Sequence, residues 1–396
     1  MDILKNICIE IKDGDWIESK DQSEEGIRLV QTGNIGNGIY LEKNDRAKYI
    51  SEYTFDSLKC TEIFEGDVLI SRLPSPVGRC CLFPNIDKRA ITAVDCTIVR
   101  LNKNKCLPKY FVYYTRSDLY SKQINKFVVG TTRLRISRKN LENINVFLHP
   151  LETQEKIIKI LDKAQELIYK RKEQIKALDE LVKSKFIEMF GDPVINPKGW
   201  KCDELKNVTL KITDGKHGDC ENEESSGYYF ISAKDINDRK INTENSRQIT
   251  KKDFNETNKR TMLKAGDIVI VNTGATIGKT AIATTEDVSK NLTFQKSVAI
   301  VTVDSDRLLS EFLEQFIIFD RDRIYNNASG SAQKNWLLSQ MRSYKIILPP
   351  VELQTKFVNF VKEVDKLKFE MEKSLKELED NFNSLMQKAF KGELFN

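Results

Sequence analysis

Histidine is almost missing from this sequence. Only His149 and His217 occur among 396 residues, far apart, which leaves little for acid–base or histidine-activated nucleophilic chemistry. The eight cysteines (Cys8, Cys60, Cys80, Cys81, Cys96, Cys106, Cys202 and Cys220) include no Cys-x-x-Cys pair. With the histidines isolated, that excludes the clustered four-ligand set of a structural zinc site. Six of the eight lie in the first 106 residues, and they read as free thiols of a reducing cytosol rather than a disulfide framework. No run of about 18 apolar residues occurs. The segment Met1 to Asp15 carries charges every few positions and lacks an apolar signal core. A soluble, cytoplasmic chain is expected, neither secreted nor membrane-spanning. Net charge is also scarce: 63 Lys+Arg against 58 Asp+Glu leaves +5. That balance permits nucleic-acid binding without arguing for it, so the distribution of charge matters more than its sum. With 40% hydrophobic and 31% charged residues, the chain has material for real cores, and its length suggests two domains.

What is present is a repeat. Sliding the sequence by about 200 positions puts Gly66-Asp67 on Gly266-Asp267, Gly78 on Gly278 and Gly130 on Gly330. It also puts Leu148-His-Pro-Leu-Glu-Thr-Gln154 on Leu348-Pro-Pro-Val-Glu-Leu-Gln354, Ser184 on Ser384 and Phe190 on Phe390. With a one-residue slip, Leu4-Lys5-Asn6 matches Leu205-Lys206-Asn207, and Asp13-Gly14 matches Asp214-Gly215. The matches fall on turn glycines and element boundaries, where divergent copies of one fold should still agree. The residues between differ freely, which suggests one scaffold reading two different things.

Each copy divides at a proline, Pro150 or Pro350. Before it the pattern is strand-like with interspersed helices. Asp67–Ser71 and Asp267–Asn272 are apolar runs leaving Gly-Asp turns, and Ala93–Leu101 and Val298–Val303 are β-rich. Asn145–Leu148 and Lys345–Leu348 close each domain, while Pro108–Asp118 and Leu308–Arg321 read as helices with buried faces. Regular strand–helix alternation is lacking, so the class is α+β rather than a doubly wound sheet. After the proline, Glu152–Phe190 and Glu352–Phe390 contain neither Gly nor Pro and are rich in helix formers. Each would make a rod of roughly 57 Å. Leu161, Ile168, Ile175, Val182 and Met189 recur at seven-residue spacing in the first, and Phe357, Val364, Met371, Leu378 and Leu385 in the second. Such stripes bury against another helix, and the economical arrangement pairs the two as an antiparallel coiled coil. The expected layout is a recognition domain at 1–150, a long helix at 151–191, a linker at 192–200, a second recognition domain at 201–350, and a second helix with its tail at 351–396. A pseudo-two-fold axis would relate the copies.

Gly274-Ala-Thr-Ile-Gly278-Lys279-Thr280 resembles a phosphate-binding loop, but it has three residues between glycines instead of four, and its partner Pro74-Ser-Pro-Val-Gly78-Arg79-Cys80 is no such loop. The polar-Pro-Pro-aromatic motif of an adenine methyltransferase and the carboxylate cluster of a nuclease are also missing. The chain is therefore expected to be non-catalytic, with no catalytic, cofactor or metal residues of its own.

The charge distribution says more. From Leu119 to Leu141 the bases Lys122, Lys126, Arg133, Arg135, Arg138 and Lys139 occur with no acid. Their centre is a glycine turn with hydroxyls and arginines, groups that bond phosphates and guanine edges. The partner stretch, Ile324 to Val351, is also acid-free, and its turn Ser329-Gly-Ser-Ala-Gln-Lys-Asn335 carries amides suited to adenine. The candidate DNA contacts of the first copy are Arg72, Ser75, Arg79, Thr131, Thr132, Arg133, Arg135 and Arg138. Those of the second are Asn272, Thr273, Lys279, Ser331, Gln333, Lys334 and Asn335. Tyr40 and Trp336 lie near these loops but read more simply as core.

The two-copy layout, the Gly-Asp-(Val/Ile)-(Leu/Val)-Ile strand, the Gly-(Thr/Ser) turn before Pro-(Leu/Val)-Glu-x-Gln, and the long helix ending near Phe-Gly-Asp together resemble the specificity subunits of type I restriction–modification systems. The resemblance spans essentially the whole chain. It implies two target recognition domains that each read half of a bipartite double-stranded DNA sequence, through the glycine turns and post-strand loops. The paired helices would set the gap and dock two methyltransferase subunits, which would flip and methylate adenine with S-adenosylmethionine. A translocating restriction subunit using ATP and Mg would complete the phage defence. Two alternatives stay open: the recognition subunit of a related system whose partner fuses methylation and cleavage, and a P-loop ATPase with a coiled coil.

Overall fold

The computed structural model describes residues 1–130, 134–331 and 333–395. It divides into two compact units, Met1–Glu173 with Glu372–Asn396, and Gln174–Met371. Each contains one copy of the mixed domain and a portion of both long helices.

In the first unit a four-stranded antiparallel sheet runs in the order Cys8–Asp13, Cys96–Leu101, Val68–Ser71, Cys80–Leu82. Strand alternation splits its inner residues between two cores. Val68 and Ile70 face the helix Pro108–Tyr114 and the long helices. Leu69 faces a second sheet ordered Tyr49–Ile50, Ile27–Val30, Ala90–Thr92, Glu62–Ile63. The second unit repeats the design. Its sheet Thr209–Asp214, Val298–Val303, Ile268–Val271, Thr280–Ile282 sends Ile268 and Ile270 to the helical side, and Val269 and Val271 to Ile231, Leu292 and Phe294 of the other sheet. A central strand buried on both faces explains the unbroken apolar runs after the Gly-Asp turns.

These second sheets are absent from the sequence reading. Their strands are two to four residues long and pair partly in parallel across long separations. The acid-free stretch is partly helical. Lys122 and Lys126 sit on a helix, Asp118–Phe127, capped by the Ser117 hydroxyl, and Arg138 opens a short one, Arg138–Glu142. Tyr110–Tyr114 and Phe312–Ile317 are buried, as their apolar patterns imply.

The long helices span Leu151–Phe190 and Val351–Lys391. Each begins directly after its proline and ends at a left-handed glycine, Gly191 or Gly392. The repeated Gln154 and Gln354 are fully buried. Gln154 accepts from the Leu107 N–H and donates to the Lys105 and His149 carbonyls, all at 2.9 Å. Gln354 accepts from Leu309 N–H (2.9 Å) and donates to the Arg307 (3.0 Å) and Pro349 (2.9 Å) carbonyls. One side chain in each copy thus ties the long helix to the backbone that opens the domain helix.

Within each unit the two long-helix segments run antiparallel. In the first, Lys172 pairs with Glu379 at 2.7 Å, while Leu161 and Ile168 share a core with Phe382, Met386 and Ala389. In the second, Lys368 pairs with Asp179 at 2.6 Å, and Phe186 and Phe190 pack edge-on against Phe357 at 5.5 and 5.4 Å. Of the heptad residues, Leu161, Ile168, Phe357 and Val364 are buried, and Ile175, Val182, Met371, Leu378 and Leu385 half-buried. Two partly buried lysines of the long helices are also engaged: Lys368 in that ion pair, Lys185 over the ring of Phe360 and on Glu188.

Candidate nucleic-acid interface

The two segments singled out in each copy come together by backbone bonding. In the first unit, Val129 and Arg135 exchange two backbone hydrogen bonds of 2.9 Å, closing a hairpin, and Ile136 N–H donates to the Arg72 carbonyl at 3.2 Å. In the second, Ser329 and Asn335 close the matching hairpin at 2.9 and 2.7 Å. There Trp336 N–H donates to the Asn272 carbonyl at 2.7 Å, and Gly274 N–H to the Lys334 carbonyl at 2.8 Å. The same contact therefore recurs in repeat register, 72 with 136 and 272 with 336. Strand end, post-strand loop and glycine hairpin form one surface in each unit.

The side chains on that surface fall into two groups. In the first unit the Arg72 side chain is only 5% exposed, between Asp13 at 3.4 Å and Asp95 at 3.9 Å. Burial pushes its guanidinium below the ordinary value; Asp13 opposes that shift and nearby Arg135 adds to it. Arg79 donates to four carbonyls, those of Thr32, Ile35, Leu73 and Pro76. Both arginines organise the loops from beneath. Arg135 and Arg138 are half-exposed. Arg135 rests on Asp95 at 2.9 Å, and Arg138 on Glu142 at 3.1 Å and Asp13 at 3.8 Å. Ser75 is exposed. Thr131, Thr132 and Arg133 lie outside the described residues.

In the second unit Asn272 is buried. Thr273 Oγ1 donates to the side-chain oxygens of Asn272 at 3.2 Å and Asn335 at 3.3 Å. Lys279 Nζ donates to Asn237 Oδ1 at 2.8 Å, and a strand, Thr280–Ile282, follows it where a phosphate-binding loop would open a helix. Lys334 Nζ is turned back to the Ala328 carbonyl at 3.1 Å. Ser331 and Gln333 are exposed. Trp336 is buried against Tyr344, 5.4 Å between rings, and Tyr40 packs edge-on to Phe83 at 5.6 Å, so both aromatics are core.

The carboxylates beneath the loops are missing from the sequence reading. Asp13 braces Arg72 and Arg138, and its counterpart Asp214 holds Arg260 and His217, the latter at 2.9 Å. Their signal was the repeated Asp-Gly. A Cβ on Gly14 would lie 2.3 Å from the Ala93 oxygen, and one on Gly215 2.0 Å from that of Phe294, so only glycine lets the strand pass there. Among the described residues no group of three or more His, Cys, Asp or Glu could hold a metal ion, and no helix is long and apolar enough to cross a membrane.

A family model described as the type I restriction modification DNA specificity domain matches the chain twice, at residues 4–177 and 197–380. The chain belongs to this family. It is accordingly the DNA-sequence-recognising, non-catalytic subunit of a type I restriction–modification system. Similar curated proteins come from Methanocaldococcus jannaschii. The putative type I restriction enzyme MjaX specificity subunit is 22% identical, covering 99% of this chain and 92% of its own. The type I restriction enzyme MjaVIII specificity subunit is 24% identical, covering 83% and 79%. The fold is shared with a chain from a structural study of complex assembly and conformational transition in the type I system (TM-score 0.65, 19% identity, 99% and 97% covered). It is shared too with a type I system S subunit from M. genitalium (TM-score 0.51, 14% identity, 98% and 95% covered). The specificity subunit thus carries two copies of the family's domain, each with one loop-and-hairpin surface.

Proposed function

We propose that the two copies, residues 1–150 and 201–350, read the two halves of a bipartite double-stranded DNA target in the cytoplasm. The helices at 151–191 and 351–396 set the unread gap and seat two methyltransferase subunits. Those partners, using S-adenosylmethionine, methylate an adenine in each half, and translocating restriction subunits using ATP and Mg join to cut unmodified DNA. The observation that supports this reading is the pairing of a common backbone frame with different exposed groups. Arg135 and Arg138 stand on the first surface, Ser331 and Gln333 on the second. Arginine suits guanine edges and glutamine suits adenine, while the buried Arg72, Arg79, Asn272 and Thr273 hold the loops in shape. The ATPase alternative has no support, because Lys279 is committed to Asn237.

The test is adenine-methylation mapping in cells that carry this chain with its methyltransferase partner. Two short defined sequences separated by a constant unspecified gap are expected. A continuous motif, or no methylation dependent on this chain, would refute the proposal.

A further inference from the structure

The hairpin Ile236–Asn237/Lys240–Ile241 turns through Asp238 (φ 51°) and Arg239 (φ 57°). Two consecutive left-handed residues at a hairpin tip normally end in glycine, because a Cβ is disfavoured there. The first copy has a glycine at the matching position: between the bridged residues Ile35 and Tyr40 it has Asn37-Gly38, where Gly38 alone is left-handed, at φ 90°. The second copy keeps an arginine in the unfavourable position, and such an outlier points to a task for its side chain.

The Arg239 guanidinium donates to Glu314 Oε2 at 3.1 and 2.6 Å and to Asp365 Oδ2 at 2.6 Å. Glu314, on the helix Ser310–Phe319, is 1% exposed, and its other oxygen accepts from Thr280 Oγ1 at 3.2 Å. Asp365, on the second long helix, is 44% exposed. In the first copy a guanidinium reaches the matching position from elsewhere. Arg116, just beyond the helix Pro108–Tyr114, donates twice to Gln165 on the first long helix, at 3.2 Å, and lies over the ring of Phe382 at 4.7 Å. It also lies under Gly38, where a Cβ would come within 2.9 Å of its Cδ. Gln165 and Asp365 are in the 200-residue register. Each unit therefore has one guanidinium joining the turn to its long helix, supplied by the turn in one copy and by the domain's helical layer in the other. A contact reached from two non-equivalent residues reflects a demand of the position rather than inheritance of an arginine.

We infer that Arg239, acting through Asp365, is a positioning residue that pins the second recognition domain to its long helix and so enforces the gap length between half-sites. Arg116 and Gln165 do the same for the first domain with a neutral partner. This inference rests on the bipartite reading above.

The test uses the chain assembled with its methyltransferase partner, assayed on duplexes carrying the mapped target with its native gap or with one base pair added or removed. Asp365→Ala removes only the long-helix arm and leaves the buried Glu314 paired. The preference for the native gap should fall about five-fold, the scale of one half-exposed ion pair, with discrimination against base changes inside either half-site unchanged. Asp365→Glu should restore the preference. An Asp365→Ala protein that melts earlier but keeps the gap preference of a gap-selective wild type would overturn the inference alone. A wild type indifferent to gap length would overturn the bipartite reading and the inference with it.

Discussion

Arg72 and Arg135 lie on the same carboxylate, Asp95, yet they should fail in opposite ways when cut to alanine. The Arg72 side chain is 5% exposed and sits 3.4 Å from Asp13 and 3.9 Å from Asp95. Removing one member of a buried ion pair costs about 3–5 kcal/mol, chiefly through the charge left behind. Here the orphaned carboxylates keep other cations, Arg138 at 3.8 Å and Arg135 at 2.9 Å, so the loss should be nearer ~2–3 kcal/mol. For a unit of this size that is a fall of roughly 5–10 °C in Tm. Arg135 is 47% exposed, and a surface pair is worth about 0.2–1 kcal/mol, so Arg135→Ala should move Tm by no more than about 3 °C. If Arg135 pairs with a guanine, the same change should cost about 1–3 kcal/mol of discrimination at one base pair of the first half-site, roughly five- to a hundred-and-fifty-fold. Calorimetry on the purified chain reads the first effect, and methylation of duplexes with single base changes reads the second. An Arg72→Ala protein of unchanged Tm that loses reading of the first half-site would refute the division into bracing and reading arginines.

Other outcomes follow from the same geometry. Gln154→Ala and Gln354→Ala each strand a buried N–H and two carbonyls, so each should cost about 2–4 kcal/mol in denaturant titration; a loss under about 0.5 kcal/mol would contradict the stapling role. Burial pushes the Cys80 and Cys106 thiols from about 9 up to about 12. Between those values the unfolded chain releases protons that the folded chain keeps, so stability falls as pH rises. By pH 10 the loss should be on the order of 1 kcal/mol for each of these two thiols. A pH-independent Tm from 8 to 10 would contradict it. Cys202 is the one exposed thiol, with Cys8 half-buried and the other six buried, so a maleimide should label a single cysteine rapidly in the folded protein.

The two-copy plan was legible because its signals are backbone demands. Gly66 and Gly266 turn the chain into a doubly buried strand, Gly14 and Gly215 let one strand pass under another's carbonyls, and Gln154 and Gln354 satisfy the same three backbone groups. Such requirements outlast the drift of everything around them. The long helices were legible from the absence of Gly and Pro and the recurrence of apolar residues. The second sheet of each domain was not, because two- to four-residue strands carry too little alternation to register, and Ile27–Val30 pairs with Ala90–Thr92 across some sixty intervening residues. The site was half legible. A run of arginines without neighbouring acids looks like an open basic surface, yet Asp13, at the end of a strand, and Asp95, in a turn, reach it from far along the chain and hold Arg72 inside. Sequence proximity located the loops; only the fold separates the arginine that braces from the arginines that face outward.

The central claim is that each copy reads its own half-site. The direct measurement is genome-wide adenine-methylation mapping with wild-type chain and with Gln333→Ala, in cells carrying the methyltransferase partner. Gln333 is exposed on the second hairpin, so the variant should relax or lose one base position in one half-site by about 1–3 kcal/mol, with the other half-site and the gap unchanged. Equal weakening of both halves, or a map identical to wild type at every position of both, would contradict it.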